Sequence, residues 1–171
     1  EIDRASSALA ASGAISIARA ATDAEREELW GVRRQLSFAL RATGLIKINH
    51  DVVVPRGRVP ELFEEVDRLK AAHGLRIACF GHAGDGNIHV DFIRRDASDP
   101  GWERGIGPAV RDVLAATVAL GGSVTAEHGV GLLRRGDLAL QIDEATIGAM
   151  RALKRAWDPK GLLNPRKIWP E

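Results

Sequence analysis

Between Cys79 and Phe92 the chain reads Cys-Phe-Gly-His-Ala-Gly-Asp-Gly-Asn-Ile-His-Val-Asp-Phe, two alternating runs on either side of a glycine-rich turn. The pattern predicts a β-hairpin with one apolar and one polar face. If Ala83 to Gly86 forms an even four-residue loop, His82 pairs with Asn87 and Phe80 with His89, and directly paired residues share a face. His82, Asn87 and His89 then converge on one surface, while Ile88, Val90 and Phe92 turn to the other side. A slip of one residue would point His82 away from Asn87 and His89.

A second unusual segment, Gly121-Gly122-Ser123-Val124-Thr125-Ala126-Glu127-His128-Gly129-Val130-Gly131, sets an acid beside a base between glycines, where backbone can approach a ligand closely. His82, His89 and Glu127 together offer two imidazoles and a carboxylate. That set holds a catalytic zinc or another divalent ion with one position open. Each histidine could instead be a hydrogen-bonded turn residue, so residue types alone leave both readings standing. In an extended segment neighbouring side chains point apart, which predicts that Glu127 and His128 do not serve one ion. One binds, and the other reacts or hydrogen-bonds the glycine loop.

The length of 171 residues and the 45% hydrophobic content suit one domain with a sizeable core. Charge is nearly balanced, 24 basic against 23 acidic residues, which gives no electrostatic case for a nucleic-acid partner. The lone Cys79 lies in an apolar stretch and reads as a small core residue in a reducing compartment. No apolar run is long enough to span a membrane, and no signal-peptide pattern stands at the start. The expectation is a soluble, cytoplasmic piece of a longer protein, since the chain starts at Glu1 on what reads as the end of a helix.

Residues 1–12 are predicted helical and 14–20 a short strand through Ile15 and Ile17. Thr22-Asp23-Ala24-Glu25 is a capping box that opens a helix to about Thr43, with Leu29, Val32, Leu36, Ala39 and Leu40 on one stripe and Gly44 as the stop. A strand over 45–54, a helix over 60–73, the hairpin over 76–92 and helices over about 107–120 and 144–157 complete the order. This mixture predicts an α+β fold, a mostly antiparallel sheet with helices covering one face and the other face free for a ligand. Arg33 borders the helical stripe together with Trp30 and Ser37, whereas Arg34 lies nearly opposite and belongs in solvent. Lys47 and Asn49 share one strand face and His50 lies on the other. The chain ends in Asp158-Pro159-Lys160-Gly161-Leu162-Leu163-Asn164-Pro165-Arg166-Lys167, a helix stop followed by an extended tail.

Gly81-His82-x-Gly84-Asp85-Gly86-Asn87-x-His89, then Glu127-His128-Gly129-x-Gly131, then the 158–167 tail together resemble the C-terminal part of the FAD-linked oxidases. That family includes D-lactate dehydrogenase, glycolate oxidase and D-2-hydroxyglutarate dehydrogenase. The likeness covers nearly the whole chain and implies that residues 1–171 form a ferredoxin-like cap over a separate FAD-binding domain. The implied reaction oxidises a D-2-hydroxy acid to a 2-oxo acid, with FAD bound mainly by the other domain. It further implies a divalent metal, zinc or else Fe(II) or Mn(II), on His82, His89 and Glu127, and His128 as general base. Arg33, within the family's tryptophan-x-x-arginine motif, is implied as the carboxylate clamp, with Lys47 also toward substrate and Asn164 toward the flavin; Ser37, on the border with Arg33, and Asn87, a neutral donor beside both histidines, are read toward substrate from their positions. A solvated strand lysine is the other reading of Lys47. Arg166 departs from the family, which more often has glycine there.

The partners implied are the hydroxy acid, the FAD-binding domain and an electron acceptor; a homodimer and peripheral membrane association of the full-length enzyme stay open. This chain by itself is expected to lack oxidase activity, because the hydride acceptor belongs to the other domain. Two further readings remain: the cap of a flavin oxidase or transferase with a metal-free pocket, and a non-catalytic ferredoxin-like module that binds small molecules. The acid–base pair between glycines speaks against the last.

Overall fold

The structure, a computed structural model, describes residues 1–42, 47–94, 96 and 99–169, which fall into two compact units, Glu1–Gly44 and Leu45–Glu171. The first contains α1 (Ile2–Ala11) and α2 (Asp23–Ala42). The capping box is formed: the Glu25 N–H donates to Thr22 Oγ1 at 3.2 Å, and Glu25 Oε2 accepts from the Ala21 and Thr22 amides at 2.7 and 3.2 Å. The strand expected over 14–20 is not there. Its alternation has no partner strand among the described residues, Ile15 is fully exposed, and an unpaired strand cannot satisfy its backbone through a ladder. The expected helix end at Thr43 and Gly44 lies outside the described residues, as does the start of the next strand at Leu45.

The second unit runs β1 (Lys47–Val53), α3 (Val59–His73), β2 (Arg76–His82), β3 (Asn87–Ile93), α4 (Pro100–Ala119) and α5 (Glu144–Trp157). Among the described residues the sheet has three antiparallel strands in the order β1-β3-β2. The hairpin has the register predicted from its even loop, with His82 opposite Asn87 and Phe80 opposite His89. His82 O accepts the amides of Asp85 and Gly86 at 3.2 and 2.9 Å, and Asp85 Oδ1 accepts from the Asn87 N–H at 2.9 Å. Glycine is required at the turn. Gly86 has φ 83, and a Cβ there would stand 2.0 Å from Val54 O.

Val52, Ile77, Ile88, Val90 and Phe92 form the apolar face of the sheet and join one core with Leu62, Val66 and Leu69 of α3 and Trp102, Ala109, Val113 and Leu114 of α4. The α+β class, with an antiparallel sheet covered by helices on one face, therefore holds. Helix α4 begins at Pro100, well before the expected Gly107. Asp99 Oδ1 caps it through the Gly101 amide at 3.1 Å, proline suits the first turn, and Trp102 is buried. Burial of Trp102 outweighs the low helix propensity of Gly101, Gly105, Gly107 and Pro108. No described helix is long and apolar enough to cross a membrane.

His50 shares the apolar side of β1 and is 8% exposed. Its ring stands edge-on to Phe92 at 6.0 Å between centroids, and its Nδ1 has no hydrogen-bond partner among the described residues. Burial above all, then the Arg134 charge, lower its pKa from 6.5 to about 4 against an upward pull from Asp51. The unfolded chain takes up the proton first as pH falls. The stability that neutral His50 contributes is therefore complete above 6.5 and is lost toward 4, by on the order of 3 kcal/mol. Denaturant unfolding across this window should show that loss, and His50→Met should flatten it; an unchanged slope in the variant would assign the pH dependence to other groups.

Candidate functional site

The face of the sheet opposite the core is polar chiefly through alternate residues of β1 and β3. Lys47, Asn49 and Asp51 of β1, Asn87, His89 and Asp91 of β3, and Phe80 and His82 of β2 lie on one side through the pairs Asn49–Asp91, Asp51–His89, Phe80–His89 and His82–Asn87. The predicted convergence of His82, Asn87 and His89 is present. The two imidazole centroids are 6.4 Å apart. Asn87 is buried, and its Oδ1 has no partner among the described residues.

A second strip of chain lies along the outer edge of β1. Val53 and Ser123 exchange backbone hydrogen bonds at 3.2 and 2.8 Å, and Gly122 fits beside them only because it lacks a Cβ, which would stand 2.2 Å from Val53 O. Beyond that bridge the chain curls around Asp51, which is fully buried. Asp51 Oδ2 accepts three consecutive amides, those of Ala126, Glu127 and His128, at 3.2, 2.8 and 2.8 Å. Asp51 Oδ1 takes Arg134 Nη1 at 2.6 Å and Thr125 Oγ1 at 3.3 Å. Burial alone would raise the Asp51 pKa, but the His128 amide, the Arg134 guanidinium and the Glu127 amide together hold it below the ordinary carboxylate value.

That curl corrects the expectation that Glu127 and His128 point apart. The segment is not extended. With three amides aimed at one oxygen, the adjacent side chains come to the same side, and His128 Nε2 stands 3.8 Å from Glu127 Oε1. Glu127 Oε1 is also 3.5 Å from His89 Nε2. His89, Glu127 and His128 thus each offer a ligand atom within 4.8 Å of the others. Bonds of about 2.1 Å to a tetrahedral ion set its ligands about 3.4 Å apart, so the His89–Glu127 spacing fits a divalent ion. Of the predicted ligands His82, His89 and Glu127, the structure brings the latter two together, and the His128 ring lies 5.6 Å from that of His89 against 6.4 Å for the His82 ring. Burial foremost lowers the His89 pKa, aided by the neighbouring His128 and His82 and opposed by Glu127. The neutral imidazole, the form that ligates, is favoured.

Further along the same face, Lys47 Nζ pairs with Asp91 Oδ2 at 2.6 Å, and Asn49 Nδ2 donates to Asp91 Oδ1 at 2.6 Å. Asp91 is fully buried. Lys47 and Asn49 share a face as predicted, and Lys47 carries its charge into an ion pair rather than into solvent. Lys47, Asn49 and His128, with the 129–134 strip, line a groove of about 670 Å³ beside the trio.

Residues 1–168 match the family described as FAD linked oxidases, C-terminal domain. The chain belongs to this family. It is 33% identical over 156 residues to glycolate oxidase subunit GlcD of Bacillus subtilis (strain 168), covering 91% of this chain and 33% of that protein. It is 32% identical over 167 residues to D-lactate dehydrogenase of Anaerostipes hadrus, covering 98% and 35%. D-2-hydroxyglutarate dehydrogenase of Stutzerimonas stutzeri (strain A1501) is 34% identical over 151 residues, with 86% and 32% covered. The chain spans about a third of the length of these relatives.

The remaining predicted positions of this FAD-linked oxidase domain are placed as follows. Arg33 is exposed on α2 of the first unit, and Arg34 pairs with Glu27 at 3.0 Å on the solvent side, as expected. The Ser37 side chain lies outside the described residues. Asn164 has φ 47 in the tail, and its Oδ1 accepts from Lys167 Nζ at 2.8 Å. Arg166 has φ 63, a left-handed conformation that glycine adopts without strain. Cys79 is half-buried against the core, and burial pushes its thiol up to about 11. Sequence reasoning missed Asp51, Asp91 and Arg134. The two aspartates continue the polar period from Asn49 and His89; Arg134 has no local signal.

Lys47→Met would leave Asp91 buried without its cation and should cost about 3–5 kcal/mol. Adding Asp91→Leu should recover most of that loss in denaturant unfolding; an equal loss in the double variant would show that the pair is not the cause.

Proposed function

We propose that this chain supplies the substrate- and metal-facing domain of an FAD-dependent enzyme that oxidises a D-2-hydroxy acid to the 2-oxo acid. The observation that carries the reading is the His89–Glu127–His128 trio on an open polar sheet face. The relatives' names, glycolate oxidase, D-lactate dehydrogenase and D-2-hydroxyglutarate dehydrogenase, supply the substrate class. When bound, FAD accepts the hydride equivalent. This chain offers it no dinucleotide cradle at Gly84-Asp85-Gly86, a turn that joins two antiparallel strands rather than a strand and a helix. The flavin therefore belongs to the remainder of the full-length protein, with Asn164 the tail residue assigned toward it.

The donor set suits a divalent ion, which when bound would polarise the substrate hydroxyl and ease loss of its proton. His89 and Glu127 would hold the ion, with His82 across the hairpin as third ligand, and His128 Nε2 takes the hydroxyl proton. Asn87 orients the substrate through its buried amide; the carboxylate clamp is assigned to Arg33 from its guanidinium chemistry and the tryptophan-x-x-arginine motif. A second assignment has support in the shorter distances: His128 could fill the third ligand position in place of His82.

Zinc titration into this chain separates the two assignments. His82→Ala should weaken binding by about tenfold or more and His128→Ala should change it little; the reverse result would make His128 a ligand and remove it as the base. In the full-length enzyme His128→Ala should lower kcat by about 10²–10⁴. Arg33→Ala should raise KM more than it lowers kcat, with Arg34→Ala near neutral. A kcat that survives His128→Ala overturns the assignment of the base.

A further inference from the structure

We propose that Asp51 is a positioning residue that locks His128 in the tautomer with its proton on Nδ1, so that Nε2 presents the lone pair a base needs. The inference rests on the reading of His128 as the base. The geometry behind it is one hydrogen bond and one close electrostatic approach. The backbone N–H of His128 donates to Asp51 Oδ2 at 2.8 Å, and the ring Nδ1 stands 3.4 Å from Asp51 Oδ1. A carboxylate offers lone pairs and no proton. A neutral imidazole with a bare Nδ1 would set lone pair against lone pair there, whereas an Nδ1–H is attracted.

The other ring nitrogen also faces an acceptor, Glu127 Oε1 at 3.8 Å, so the two carboxylates compete for the single ring proton. Asp51 wins on distance, screening and rigidity. It is fully buried while the Glu127 side chain is 56% exposed, and water weakens the pull of an exposed charge. Arg134 fixes Asp51 through the same oxygen: Nη1 reaches Oδ1 at 2.6 Å, and Nη2 donates to Asn49 O at 2.9 Å. Glu127 instead lies nearer to His89, at 3.5 Å. A purely structural Asp51 would serve only the three amides, Thr125 and Arg134. Asparagine at this position keeps one carbonyl oxygen for the amides but can turn an N–H toward His128, which would favour a bare Nδ1 and a protonated Nε2.

The test is a long-range ¹H–¹⁵N correlation spectrum of this chain labelled on its histidine rings, with His128 assigned through His128→Gln. It is recorded at mildly alkaline pH, where free imidazoles are neutral. The wild-type chain should show His128 as the Nδ1–H tautomer, and Asp51→Asn should convert it to Nε2–H. An Nε2–H tautomer or an even mixture in the wild type overturns the proposal, and this spectrum decides even if the variant fails to fold. An Asp51→Asn chain that folds and keeps Nδ1–H overturns it as well. In the full-length enzyme Asp51→Asn should lower kcat about 10²-fold or more with KM within a few-fold, and His128→Ala should add little on that background. Additive losses would separate Asp51 from His128 and overturn the proposal. An Nδ1–H wild type whose kcat survives His128→Ala would instead refute the base reading alone, so the two failures are distinguishable.

Discussion

A carboxylate with no exposed surface is tolerable only when its charge and lone pairs are met, and Asp51 meets that condition through groups contributed from far along the chain. An unpaired buried carboxylate carries a penalty of several kcal/mol. Here one guanidinium, one hydroxyl and three consecutive amides converge on it. The strip from Ser123 to Arg134 has little regular structure of its own, so the anion on β1 gives that strip its shape. Turns whose successive N–H groups surround an anion occur at phosphate and carboxylate sites. In this protein the anion is a side chain of the same molecule, and the acid–base pair Glu127-His128 is placed by it.

The same principle operates a second time on the same face. Asp91 is also fully buried and is answered by Lys47 and Asn49. The two carboxylate–cation pairs flank His89, whose neighbours include Phe80 at 5.2 Å and His128 at 5.6 Å between ring centroids. Each of these buried carboxylates is answered by its own cation. On the reverse side of β1, His50, whose Nδ1 has no hydrogen-bond partner among the described residues, packs against Phe92 beside the apolar core. One strand thus presents a charged network on one side and a low-dielectric core on the other.

The hairpin was legible in the sequence because two local rules agree there. The period of two assigns faces, and an even glycine-containing loop sets register, so His82, Asn87 and His89 could be placed together without knowledge of the rest of the fold. The 14–20 segment shows how far alternation goes without a partner: Ile15 and Ile17 carry the pattern, but no described strand pairs with them. The early start of α4 was hidden for the complementary reason. Its first turns are rich in glycine, and only the burial of Trp102 against the core shows why they remain helical. The reading of Glu127 and His128 as diverging neighbours failed because it assumed extended backbone, and no local signal announced the carboxylate around which that backbone bends.

By itself the sequence determined the α+β class, the hairpin register, the polar face and the identity of the chemical groups on it, since each follows from spacing within a few residues. It also carried the family, through motifs whose residues are contiguous. Tertiary structure alone decided which of those groups meet. Asp51 and Arg134 are 83 positions apart (134 minus 51), and their contact depends on the edge of β1 receiving the strip that begins at Ser123. Whether His82 or His128 stands nearer to His89 and Glu127 depends on how that strip curls. Such contacts are set by the desolvation of buried charge over the whole unit, a quantity that no local window of residues contains.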